Sequence, residues 1–188
     1  MKHSGFFLCL LGMVVIHFIS VPDCSAKEKI ILKSSDVHGK GYPTVEAVIH
    51  MGDLLHKWTN GRITVTVFPE GKLGGEKDAV EQVRQGYMEM TRVSLGPVGK
   101  YADGLNAFNL PYIFRSVAHM HNVVDGEIGN SLLLDLGKSG LIGLAFMDSG
   151  ARSFYNSRHP IHSPDDMKGL KFRVMNNPIF VEMVAALG

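Results

Sequence analysis

An α/β fold built on a parallel sheet is what this sequence predicts, on three observations. Short apolar runs rich in β-branched residues alternate with longer amphipathic stretches. In the longer stretches apolar residues recur every three or four positions, the period of a helix face. Gly, Pro and Asn stand at the junctions, where chain reversals need them. Strand, helix, strand, helix, strand is the order of parallel strands wrapped by helices.

The elements follow in turn. Lys29-Ile30-Ile31-Leu32-Lys33 reads as a buried strand, interrupted by Ser34-Ser35-Asp36 and Gly39-Lys40-Gly41. Residues 44–59 read as a helix with Val45, Val48, Met51, Leu55 and Trp58 on one face. Asn60-Gly61 closes it, Gly being suited to the left-handed closing position. Residues 62–68 are the clearest strand, Ile63, Val65 and Val67 alternating with Thr64, Thr66 and Phe68 until Pro69 stops it. Past the loop of Gly71, Gly74 and Gly75, residues 76–85 form a second helix. It turns Val80, Val83 and Tyr87 inward and carries acids near its start, where the dipole favours them. Residues 88–93 complete a third strand.

Residues 94–109 are loop-rich, holding Gly96, Pro97, Gly99 and Gly104. Leu110-Pro111-Tyr112-Ile113-Phe114 is extended and apolar. Helices are expected over 117–124 and 128–136, and another apolar strand over 141–147. Ser149-Gly150 is a break and a candidate hinge. Short strands are expected over 152–155 and 171–174, with Ser163-Pro164-Asp165-Asp166 as a turn or cap between them. The last helix, 178–187, has an apolar face of Phe180, Val181, Val184 and Leu187 with nothing after it to cover it. A truncated chain, or a partner for that face, is the expectation, since burying each such side chain stabilises by roughly 1.5–3 kcal/mol.

The amino terminus reads as a secretory leader over residues 1–26. A basic start, Met1-Lys2-His3, precedes an apolar run over 5–21 and the small residues of Cys24-Ser25-Ala26. An uncut membrane anchor is the alternative; the run is short for a span and contains His17. Cleavage after Ala26 removes both cysteines, Cys9 and Cys24, which excludes thiol catalysis and Cys-type metal sites in the mature chain. A formal charge of +1 gives no sign of a nucleic-acid partner.

Enzyme signatures are mostly absent. There is no His-Glu-x-x-His, and around Ser94 the Gly-x-Ser-x-Gly pattern fails because Arg92 stands where its first glycine belongs. Gly71-Lys72-Leu73-Gly74-Gly75 lacks the Gly-Lys-Ser/Thr of a phosphate loop. His119 and His121 on a helix would sit about 200° apart, too far round to share a metal. His159 and His162 flank a proline in a loop and read as solvated. No cofactor or metal is expected.

Four stretches in order resemble the family of TRAP-transporter solute-binding proteins. They are Phe68-Pro69-Glu70-Gly71-Lys72-Leu73-Gly74-Gly75-Glu76 with Glu81-Gln82-Val83-Arg84-Gln85-Gly86; Leu110-Pro111-Tyr112-Ile113-Phe114-Arg115; Gly150-Ala151-Arg152-Ser153; and Asp165-Asp166-Met167-Lys168-Gly169-Leu170-Lys171-Phe172-Arg173-Val174. The resemblance implies a periplasmic receptor of the type II binding-protein class, two α/β lobes joined by hinge strands. Such a receptor closes on one small organic acid and passes it to membrane permease subunits. On this chain the first lobe would be 27–148, and 149–188 the start of a second, truncated lobe with an incomplete cleft.

The same resemblance places a carboxylate-clamping arginine at Arg173, a second at Arg152 and a polar contact at Asn176. The chemistry agrees, since a guanidinium presents a planar fork that matches a carboxylate bidentately. The bland alternatives are that Arg173 pairs with an acid of the protein, and Arg152 with Asp148 near the hinge. Residues 36–39 and 74–76 should lie at sheet carboxyl ends, where such folds bind ligands. Glu76 is a candidate contact there or a helix-start acid only; Arg92 is a candidate whose side of the strand is undecided; Ser94 could read ligand hydroxyls. The stretches from Thr91 to Ser94 and from Asp148 to Arg152 are similar to members that take sugar acids. Hexuronates therefore lead and C4-dicarboxylates follow. Receptors for sialic acid carry an acid where Ser94 stands. Two readings from other classes are an extracytoplasmic enzyme acting on acids and a ligand-sensing domain for a membrane signalling partner.

Overall fold

The computed structural model describes residues 28–188, so the leader expected over residues 1–26 lies outside the described residues. Three parallel strands form the sheet in the order β2-β1-β3. The central strand β1 (Ile30–Ser35) pairs with β2 (Ile63–Phe68) along its whole length, from Ile30 opposite Ile63 to Ser35 opposite Phe68. β3 (Met90–Thr91) is shorter than expected and meets β1 only at Ser34 and Ser35. One residue earlier a side chain replaces the ladder: the Lys33 amide donates to the Glu89 carboxylate at 2.8 Å.

Burial along β1 therefore runs opposite to hydropathy. Ile30 and Ile31 are exposed, whereas Ser34 and Ser35, flanked by strands on both sides, are buried. α1 (Pro43–Trp58) begins on a proline, whose missing N–H is no loss in a first turn. It packs through Val45 and Val48, and through Gly52, where a Cβ would stand 2.8 Å from the Val65 Cβ. Trp58 is exposed although its spacing puts it on that face, because the buried positions of α1 all lie at or before Gly52. Asn60 and Gly61 then turn the chain with φ of 51° and 77°.

The second helix, α2 (Glu76–Arg84), buries Val80. Tyr87 is 71% exposed and not inward as its spacing implied, since Gly86, at φ 75°, breaks the helical phase before it. Val80 joins Val98 of α3 (Leu95–Val98), Ala102, Leu105 and Leu136 in the main core. Around this core pack Leu132 and Leu133 of α5 (Glu127–Asp135), with Leu141 and Phe146. Between them α4 (Val117–Val124) is capped by the Ser116 side chain, which accepts from the His119 amide.

The later strands are not formed. Residues 110–114 hold a turn in place of an extended run; Pro111 has no N–H for a ladder, and Tyr112 sits at φ 57° with its side chain in solvent. Along 141–147 Leu141 and Phe146 pack while Ile142 and Leu144 are exposed, yet no strand lies beside them among the described residues. Residues 152–155 and 171–174 also lie outside any strand; Phe154 and Phe172 meet edge to face, 5.4 Å between centroids. Ser163 and Asp166 form a reciprocal capping box on the 3-10 turn Pro164–Met167. α6 (Pro178–Ala186) is capped by Asn177, whose amide nitrogen also donates to the Gly96 carbonyl at 3.0 Å. Phe180 anchors α6 while Val181 stays exposed.

Candidate ligand-binding site

The carboxyl ends of the three strands are drawn together by backbone hydrogen bonds. The Asp36 amide donates to Phe68 O at 3.1 Å, Glu70 to His38 O at 2.9 Å, Gly71 to Asp36 O at 2.9 Å and Arg92 to Ser35 O at 3.1 Å. Parallel α/β sheets bind their ligands at this end.

Asp36 and Arg92 follow the last residues of β1 and β3, which pair as Ser35 with Thr91. Their side chains, 1% and 8% exposed, form a buried ion pair. Arg92 Nε donates to Asp36 Oδ2 at 2.6 Å, and Nη2 lies against Oδ1 and against His38 Nδ1. The His38 amide donates to Asp36 Oδ1 at 2.8 Å. Burial would by itself raise the Asp36 pKa. The hydrogen bonds from Arg92 and His38, with the charge of Arg92, outweigh it and hold the carboxyl below the usual value of 3.8.

Glu76, the first residue of α2, lies 3.7 Å from Arg92 Nη1. Its Oε1 accepts from both the amide and the hydroxyl of Ser94, each at 2.8 Å. Of the residues singled out in the sequence, Glu76, Ser94 and Arg92 are thus in direct contact. Arg92 faces the acids of the strand ends. His38, within the stretch 36–39 expected at the ligand-binding end, and Tyr42, which the sequence did not single out, complete the wall. Their rings stack at 4.1 Å and 11°, and the Tyr42 hydroxyl donates to Ser149 O at 3.2 Å. The signal that could have found Asp36 with Arg92 is positional, a charge directly after each of two paired strands.

The remaining candidates lie on a second strip. Arg152 Nη2 is 3.1 Å from Met175 Sδ, and its guanidinium carbon stands 6.0 Å from the centre of the Phe180 ring. Asp148 instead accepts from the Gly150 amide at 2.7 Å and approaches His121 at 4.0 Å. Arg173 and Asn176 are exposed, and among the described residues Arg173 enters no ion pair. Gly96, two residues beyond Ser94, joins the strips. It faces Met175, whose Cβ would be 3.0 Å from a Cβ at Gly96, and its carbonyl holds Asn177.

Residues 34–188 match the family described as bacterial extracellular solute-binding protein, family 7. The chain is 35% identical over 179 residues to a solute-binding protein of Chromohalobacter salexigens, covering 95% of this chain and 52% of that one. It is 34% identical over 173 residues to the C4-dicarboxylate-binding periplasmic protein of Rhodobacter capsulatus, covering 90% and 50%. Among solved structures it is similar to a TRAP periplasmic solute-binding protein of Xanthobacter autotrophicus with bound β-D-galacturonate. That match has 46% identity and a TM-score of 0.81, covering 84% of this chain and 52% of that one. A corresponding protein of Roseobacter denitrificans with bound β-D-glucuronate matches at 42% identity and TM-score 0.80, covering 84% and 52%. The chain spans about half the length of the curated relatives it matches.

Proposed function

The chain belongs to the bacterial extracellular solute-binding proteins of family 7, and from this we propose that it serves as a periplasmic receptor for a sugar acid. A hexuronate is the first choice and a C4-dicarboxylate the second. The bound acid passes unchanged to the membrane permease subunits of a TRAP-type transporter. Residues 28–148 belong to one lobe and 149–188 to the other, with Ser149-Gly150 at the hinge.

The observation that carries this reading is Arg173, an exposed guanidinium with no acid of the described chain to neutralise it. A carboxylate from solution fits its planar fork. Arg152 and Asn176 assist from the same strip. At the strand ends, Glu76 and Asp36 place two carboxylates around the single guanidinium of Arg92. Such a wall accepts hydrogen bonds from hydroxyls and repels a second carboxylate, which favours a hexuronate over a C4-dicarboxylate. Glu76 and Ser94 read hydroxyls in this account, and Arg92 holds the acids in place. The two solved relatives described above hold hexuronates.

A thermal-shift panel of D-glucuronate, D-galacturonate and succinate on the full chain tests the assignment. An acid at about 100 times its dissociation constant stabilises the folded state by about 2.7 kcal/mol. A shift with a hexuronate supports the proposal; a shift with succinate alone moves the substrate class to dicarboxylates.

A further inference from the structure

Of the stacked pair His38 and Tyr42, His38 falls within the stretch 36–39 expected at the ligand-binding end and Tyr42 outside it; the pair stands at the carboxyl end of β1 beside Asp36 and Arg92. We propose that His38 is a specificity-determining residue whose Nε2 hydrogen-bonds a ligand hydroxyl, an inference that rests on the sugar-acid reading above.

The chemistry of the ring leads there. His38 Nδ1 faces the buried ion pair, 3.0 Å from Asp36 Oδ1 and against Arg92 Nη2. That nitrogen is engaged within the protein, which leaves Nε2 as the open polar atom of the ring. Among the described residues Nε2 meets no partner, and the side chain is 30% exposed. Arg92 and Asp36 on Nδ1, the His38 amide on Asp36 and the Tyr42 ring at 4.1 Å hold the ring. A polar atom already held in place loses little entropy on binding.

Tyr42 extends the argument to the other strip. Its hydroxyl donates to Ser149 O, three residues before Arg152. The ring that backs His38 is thus tied to the segment carrying an arginine. A ligand with hydroxyls and one carboxylate can engage both; succinate offers His38 no hydroxyl.

Calorimetric titration of the full chain with D-glucuronate, comparing His38→Gln with His38→Asn, tests the proposal. A glutamine amide nitrogen takes the place of Nε2 and an asparagine that of Nδ1. Glutamine should bind within about threefold of wild type and asparagine about tenfold more weakly, the value of one hydrogen bond. Both variants should melt as wild type does. Wild-type affinity in both, or an equal loss in both, overturns the assignment, the latter because it marks a ring that only supports Arg92. Failure of the wild-type chain to bind any sugar acid overturns the receptor reading itself, and is separable because no variant enters it.

Discussion

Arg92 closes on both carboxylate oxygens of Asp36 across 56 residues of sequence, tying the end of β3 to the end of β1. Both side chains are buried, so neither charge has water to replace its partner. Removing one partner leaves an uncompensated buried charge, which typically costs about 3–5 kcal/mol. Asp36→Ala should lower stability by that order in urea unfolding. Replacing the pair together, Asp36→Leu with Arg92→Met, should lose clearly less, because no lone charge remains. An Asp36→Ala loss below about 1 kcal/mol would mean that the pair is solvated like a surface bridge.

Acid should act through the same carboxyl. The folded-state pKa of Asp36 is depressed below 3.8, so its contribution is fully present above the unfolded value and is lost as pH falls through the folded one. Glu81 behaves likewise. Hydrogen bonds from Lys100, then Tyr101, hold it at about 2 against an ordinary 4.5. Thermal melting between pH 6 and 2 should therefore fall most steeply below about pH 4. In Asp36→Asn the fall should be shallower, on a lower starting stability. Parallel curves for wild type and variant would contradict the Asp36 part.

Gly52 is required by contact. Alanine at an exposed helix position gains up to about 1 kcal/mol over glycine. Here its Cβ would stand 2.8 Å from the Val65 Cβ, and overpacking of this kind costs about 1–3 kcal/mol. Gly52→Ala should therefore destabilise in chemical denaturation, while Gly137→Ala, where an added Cβ meets nothing within 4 Å, should not. Stabilisation by Gly52→Ala would show that α1 can move off β2 freely.

What could be read in advance divides along a physical line. Helix periodicity is local, and the expected helix over 117–124 coincides with α4 (Val117–Val124). α1 (Pro43–Trp58) differs from its expected bounds by one residue at each end. Strands are a property of pairs. The apolar run over 141–147 was legible, but whether anything lies beside it was not, and among the described residues nothing pairs with it. Val80 kept its predicted inward place, whereas Tyr87 lost its own once Gly86 broke the phase. In the candidate site Glu76 could be named because it starts a helix after a loop, and Ser94 because it is a neutral polar side chain just past the third strand. The side on which Arg92 lies could not, because its partner Asp36 is distant in the sequence. His38 was legible only as part of the stretch 36–39 at the sheet's carboxyl end; its contacts with Asp36, Arg92 and Tyr42 were not.

The central claim is that Arg173 receives the carboxylate of a sugar acid. Titration of the full chain and of Arg173→Ala with millimolar D-glucuronate and D-galacturonate, followed calorimetrically, tests it most directly. Hydrogen bonds to a charged group contribute about 1.5–3 kcal/mol each, so the variant should bind at least about tenfold more weakly. Its melting temperature without ligand should be unchanged, because the side chain is exposed. Saturable binding of a hexuronate by wild type, lost in the variant, is the predicted result. Equal affinity in both proteins would contradict the claim.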